Sequence, residues 1–189
     1  MACADYVLGN TGGNTVSNLS SSRALRDITV KHGGNYAASA VGEVNVVSVM
    51  KTTGAVIGGE GNGGIIFPAL HYGRDALIGI ALFLTHLAKS GLKCSGLRST
   101  YPDYFMSKNK VTLKTGVTPV DIFSRVKGVY KNFPVNDTDG LKIEFDKGWV
   151  HLRQSNTEPI MRIYAEGTSM EQADQYAGKM MKDISQFTC

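Results

Sequence analysis

The feature that most constrains the fold is a change of pattern partway along the chain. Up to about residue 107, short β-forming runs alternate with helical segments. Beyond it, one amphipathic helix precedes three short strands and a closing helix. Alternation asks for an α/β layer in which helices cover a sheet, whereas helix, antiparallel strands and helix ask for a small α+β unit. The break falls at Val111 to Thr118, a stretch containing Thr, Lys and Gly, so two domains are expected, 1–112 and 113–189. A chain of 189 residues is long enough to give each a core.

In order, residues 1 to 9 read as the tail of a helix, which leads us to expect further chain before them. Asn14 to Asn18 is a modest strand, Arg23 to Lys31 a helix after the serines Ser20 to Ser22, and Tyr36 to Val41 a strand of small residues. Glu43 to Lys51 stays open between helix and strand, because its valines suit a strand and its length a helix. Ala55-Val56-Ile57 and Ile65-Ile66-Phe67 are strands. The strongest helix runs to about Ser90, with Leu77, Ile80, Ala81, Leu84, Leu87 and Ala88 at spacings of 3 and 4, and a shorter one covers Cys94 to Thr100. In the second domain, Pro119 to Lys131 is a helix with proline near its first turn. Strands follow at Leu141–Phe145, Trp149–Leu152 and Ile160–Ala165, and Ser169 caps a helix to about Phe187.

Composition excludes several classes. A formal charge of +4 without any Lys/Arg run is too small to argue for nucleic acid. The longest apolar stretch, Ala76 to Ala88, is interrupted and too short for a bilayer. No signal peptide is evident at the N-terminus. Cys3, Cys94 and Cys189 are scattered, odd in number and without metal spacing, so they read as free thiols in a reducing, cytoplasmic setting.

Two loops carry the chemistry. Arg153-Gln154-Ser155-Asn156-Thr157-Glu158-Pro159 lies between two apolar strands and offers a guanidinium, hydroxyls, a carboxamide and backbone N–H groups. These donate to oxygen, and the guanidinium fork fits a phosphate in bidentate fashion. An ordinary polar hairpin has equal standing on spacing alone. Gly58 to Gly64, with Glu60 and Asn62 among its glycines, follows a buried strand, where ligands gather on open α/β sheets. It is neither a Walker loop nor a dinucleotide fingerprint. A carboxylate there accepts hydrogen bonds from sugar hydroxyls, and glycines let the backbone come close. A tight glycine hairpin is the competing reading.

Arg-x-Ser-Asn-Thr-Glu-Pro resembles the phosphate-binding loop of the phosphoglucomutase/phosphomannomutase family, the α-D-phosphohexomutases. Gly59-Glu60-Gly61-Asn62-Gly63-Gly64 resembles the sugar-recognition loop of that family's third domain, with Asn62 where Ser is commoner. The resemblance spans the whole length and implies domains three and four of a four-domain enzyme. The first would be a mixed-sheet α/β domain bearing loop 58–64. The second would be a small antiparallel α+β domain, TATA-box-binding-protein-like, bearing loop 153–159. It implies Glu60, Asn62, Gly61 and Gly63 at the sugar, and Arg153, Ser155, Asn156 and Thr157 at the phosphate. Glu43, His71 and Arg162 are further candidates.

The family moves a phosphoryl group between O1 and O6 of a hexose phosphate, using a phosphoserine loop and an Asp-rich magnesium loop. Neither motif occurs in this sequence. The resemblance therefore implies a substrate-binding half, without a catalytic residue or metal ligand of its own and inactive alone. Its partners would be a hexose phosphate and the N-terminal domains, with magnesium bound elsewhere in the full-length enzyme. The alternative of a different class is a non-catalytic sugar-phosphate-binding or regulatory module.

Overall fold

The computed structural model describes residues 1–187 apart from 114, 115, 117, 156 and 157, and leaves out the side chain of residue 187. The described chain divides into two compact units, Met1–Pro102 and Asp103–Cys189.

The first unit runs α1 (Ala2–Thr11), β1 (Asn14–Asn18), α2 (Ala24–Lys31), β2 (Tyr36–Ser39), α3 (Glu43–Thr53), β3 (Ala55–Gly59), β4 (Ile65–Phe67), β5 (His71–Arg74), α4 (Ala76–Ser90) and α5 (Cys94–Ser99). Its sheet has the order β2-β1-β3-β4-β5. The strands β2, β1 and β3 are parallel, as helical crossovers require, while β4 and β5 return antiparallel through tight connections. Two apolar clusters form: Val7, Leu8, Ile28, Ile57, Leu82 and Leu97 in one, and Val16, Val46, Met50, Ala55 and Ile66 in the other. The open question over 43–51 resolves as helix, because Val46 and Met50, four apart, both point into the second cluster and are fully buried.

The helix α4 is where the sequence indicated, and Asp75 caps it by accepting from Leu77 N and Ile78 N at 2.8 and 3.1 Å. Its inward face differs from the repeat picked out in sequence. Leu82 is buried, and Ile78, Phe83 and Leu87 pack with it, whereas Leu77, Ile80 and Leu84 are exposed at 78, 55 and 54%. The helix is apolar nearly all round, so periodicity alone could not select the core side.

The second unit runs β6 (Phe105–Thr112), α6 (Pro119–Val129), β7 (Val135–Asn136), β8 (Leu141–Phe145), β9 (Gly148–Gln154), β10 (Ile160–Gly167) and α7 (Met170–Phe187). Its sheet is antiparallel with order β6-β10-β9-β8-β7. The expected boundary near 112 is corrected here. All eight residues of β6 pair with β10, so the strand belongs to the second unit and the division falls at Pro102. The three expected strands gain β6 at one edge and the short β7 at the other. One sheet face packs Leu141, Ile143, Val150, Leu152, Ile163 and Ala165 against Ile122, Val126, Ala177, Met180 and Ile184 of α6 and α7. The alternate residues point to the opposite face, Arg153 and Arg162 among them.

Among the described residues Cys3 and Cys94 are free thiols, one buried and one exposed, and Cys189 lies outside them. Among the described residues no helix is long and apolar enough to cross a membrane.

Candidate functional site

In the first unit the glycine run is the turn of a hairpin. Gly58 pairs with Ile66 and Gly59 with Ile65, and the loop closes through Glu60 N to Gly64 O and Gly63 N to Glu60 O, both 3.0 Å. Asn62 Oδ1 accepts from Gly64 N at 3.0 Å, so this side chain stiffens its own loop. Gly61 lies against the turn at Ser20 and Ser21, where a Cβ would stand 3.2 Å from Ser21 Cα.

Parallel pairing brings the ends of β1 and β3 together, and with them Asn18 and Glu60. Asn18 Nδ2 donates to Glu60 Oε1 at 3.1 Å, and Ser21 Oγ donates to Asn18 Oδ1 at 2.9 Å. The Glu60 side chain is 7% exposed, and its other oxygen lies 3.4 Å from Arg74 Nη1. Arg74 also donates from Nε to Glu43 Oε2 at 2.7 Å, while its backbone N–H reaches Glu43 Oε1 at 3.1 Å. These bonds hold the Glu43 carboxyl below the usual carboxylate range. One guanidinium thus joins the two acids, and a carboxylate with four lone-pair sites retains capacity for a hydroxyl.

Cavities open on either side of the loop. One of about 250 Å³ is lined by Ser17, Ser21, Ile57, Glu60 and Gly61 among others. The wider one, about 610 Å³, is bounded by Glu43, Asn62, Gly63, Gly64, Arg74 and Asp75. Glu60, Gly61 and Gly63 line the first cavity, and Glu43, Asn62 and Gly63 the second. His71 does not border either cavity. Its Nε2 sits 3.1 Å from Asp75 Oδ2, so it braces the cap of α4.

In the second unit Arg153 is near the end of β9, directly opposite Arg162 on β10, which in turn faces Lys110 on β6. Cross-strand partners share a sheet face, so three cations form a row on the face away from the apolar core. Arg153 Nε stands 3.0 Å from Asp139 Oδ2. Its N–H is turned off the line of a hydrogen bond, so the contact is an ion pair. Asp139 is delivered by close backbone contact. Gly140 has φ +78°, and a Cβ there would stand 2.1 Å from Leu152 O. His151 Nε2 donates to the Asp139 carbonyl at 2.7 Å. Burial is the main reason its pKa falls to about 4, so the ring is neutral at pH 7. Ser155 is buried, and its N–H closes the loop on Ile160 O at 3.0 Å. Asn156 and Thr157 lie outside the described residues.

Sequence reasoning missed Asn18, Arg74, Lys110 and Asp139. Pairing register brings the first three into place, and a single sequence does not show register. Gly140 after Asp139 was the available signal for a close backbone approach. The turn at 137–139 is no metal loop, since Asp137 pairs with Lys127 at 2.7 Å and Asp139 with Arg153. Among the described residues no group of three or more His, Cys, Asp or Glu can hold a metal, so the magnesium that the resemblance implies finds no ligand set in them.

Comparison with known proteins finds the same family for both units. The family model "Phosphoglucomutase/phosphomannomutase, alpha/beta/alpha domain III" matches residues 1–104, and that of the family's C-terminal domain matches residues 110–183. A phosphoglucomutase/phosphomannomutase of Thermococcus kodakarensis is 39% identical over 92% of this chain and 38% of its own length. A phosphoglucosamine/phosphogalactosamine mutase of Sulfurisphaera tokodaii is 31% identical over 89% of this chain and 38% of its own length. The chain thus spans about two-fifths of the length of the relatives it matches. In fold it resembles a phosphoglucomutase/phosphomannomutase family protein of Burkholderia thailandensis, with a TM-score of 0.75 and 22% identity, covering 97% of this chain and 39% of that one. It also resembles the Aspergillus fumigatus N-acetylphosphoglucosamine mutase solved with GlcNAc-6P and magnesium, with a TM-score of 0.71 and 16% identity, covering 100% of this chain and 43% of that one. With its matches to domain III and to the C-terminal domain, the chain belongs to the phosphoglucomutase/phosphomannomutase family.

Proposed function

We propose that this chain is the substrate-binding half of a phosphohexomutase that moves a phosphoryl group between O1 and O6 of a hexose phosphate. Glu60, Asn62 and the backbone at Gly61 and Gly63 take the sugar hydroxyls, with Glu43 beside them. Arg153, Ser155, Asn156 and Thr157 hold the phosphate that is not being transferred, with Arg162 in the same row. The observation that carries this reading is the row Lys110–Arg162–Arg153 beside the loop. Like charges directly opposite one another in a sheet are destabilising. A dianionic phosphate placed beside them turns that repulsion into charge-assisted hydrogen bonding.

In this role the chain binds and orients while other domains of the enzyme supply the reacting groups. Phosphoryl transfer rests on positioning and charge stabilisation, so a half that grips both ends of the sugar presents either end to the donor. The serine that carries the phosphoryl group and the magnesium site belong to the N-terminal domains, and the chain alone does not turn over substrate. Two measurements test this. Calorimetric titration with glucose 1-phosphate or mannose 1-phosphate should give binding that Arg153→Ala weakens by about tenfold or more, the worth of a charged hydrogen bond. Unchanged affinity in that variant sinks the phosphate assignment. Mutase assays of the chain alone with glucose 1-phosphate, glucose 1,6-bisphosphate and magnesium should stay at background, and turnover there would refute the division of labour.

A further inference from the structure

The site contains one residue whose placement the sugar reading leaves without a role, Arg74. It stands opposite Ile66 on the strand next to the glycine hairpin, immediately before the cap of α4. Its stem lies across the loop at Gly64, where an added Cβ would come within 2.6 Å of Arg74 Cδ. The absence of a side chain at Gly64 is therefore what lets the guanidinium cross the loop. Its head reaches both acids of the site, at 2.7 Å to Glu43 and 3.4 Å to Glu60, and it borders the wider cavity.

We infer that Arg74 is a positioning residue of the sugar site, holding Glu60 and Glu43 as a pair of ionised hydroxyl acceptors. This rests on the assignment of loop 58–64 to the sugar. Glu60 lines the smaller cavity and Glu43 the wider one, and the two carboxylates meet at the Arg74 guanidinium. Without a cation between them they repel, and one would take up a proton or turn away. A protonated carboxyl donates one hydrogen bond and loses acceptor capacity, so a hexose hydroxyl meets a different surface. The planar fork of arginine serves both acids at once, which a lysine ammonium does not reproduce. Asn18 fixes Glu60 from the side of β1 while Arg74 fixes it from the side of β5, so the carboxylate is held from two strands.

The test is calorimetric titration of the chain and its variants with glucose 1-phosphate and, separately, inorganic phosphate, which reports on the Arg153 loop alone. Arg74→Ala should weaken glucose 1-phosphate binding by about tenfold, as expected for the loss of charged hydrogen bonds, and leave inorganic phosphate within about twofold. Arg74→Lys should fall between the two, and should serve as the test alone if Arg74→Ala does not fold. In Arg74→Ala the Glu43 carboxyl should titrate at higher pH by NMR, and affinity for glucose 1-phosphate, unlike that for inorganic phosphate, should follow that titration, which a merely structural role would not produce. Arg74 variants that bind glucose 1-phosphate as tightly as the unaltered chain overturn the inference, as does equal weakening toward both ligands. Glu60→Gln separates the two levels. If it weakens sugar phosphate binding while Arg74→Ala does not, the inference alone fails. If it changes nothing, or the unaltered chain binds no glucose 1-phosphate, the sugar-site reading fails and the inference with it.

Discussion

Acidification should destabilise the second unit through one side chain, His151. The ring is 1% exposed, and it donates to the Asp139 carbonyl at 2.7 Å. Burial is the dominant cause of its depressed pKa, and the nearby Lys142 and Arg153 add to it, while the bond to Asp139 and that residue's charge act the other way. The folded value of about 4 lies below the ordinary 6.5, so the unfolded chain binds the proton first as pH falls. Stability from this group is complete above about pH 6.5 and lost progressively toward about pH 4. At 1.36 kcal/mol per pH unit, the gap amounts to on the order of 3 kcal/mol, an upper figure because local opening can admit water to the ring. The assay is urea unfolding of the chain and of His151→Gln, which keeps a donor and removes the titration, at intervals from pH 7 to pH 4. Subtracting the two curves cancels the other titrating groups. The stability of the unaltered chain relative to the variant should fall across that window. Parallel curves would refute the argument, as would an imidazole that titrates near 6.5 in the folded protein.

Gly140→Ala should destabilise by about 2–4 kcal/mol, because it combines a left-handed φ with a Cβ driven into the Leu152 carbonyl. It should also weaken inorganic phosphate binding, since the same contact brings Asp139 to Arg153; chemical denaturation and calorimetry read the two effects separately. On α4, Leu82→Ala should cost about 2–5 kcal/mol and Leu84→Ala less than about 1, given 8% and 54% exposure. Reversal of that order in thermal or urea unfolding would mean that the exposed stripe is covered in solution.

Much of this architecture was legible in the sequence. The strands flanking Gly58 to Gly64 and the helices begun by Asp75 and Pro119 follow from periodicity and capping, which are local. What was not legible depends on partners distant in sequence. β6 has a polar pattern and becomes a strand because β10 offers it a full ladder of hydrogen bonds. Glu60 and Arg153 were visible as candidates from their loops. The residues that hold them, Asn18 and Arg74 for one and Asp139 for the other, come from neighbouring strands and turns. α4 was misread for a different reason, because nearly every side is apolar and only tertiary packing decides which side is inside.

We propose that loop 58–64 takes the sugar and loop 153–159 the phosphate of a hexose phosphate. The measurement that tests it most directly is amide chemical-shift mapping of the labelled chain titrated with glucose 1-phosphate. Shifts should appear in both stretches, 58–64 with Arg74 and 153–159 with Asp139. Shifts confined to one stretch would contradict that assignment.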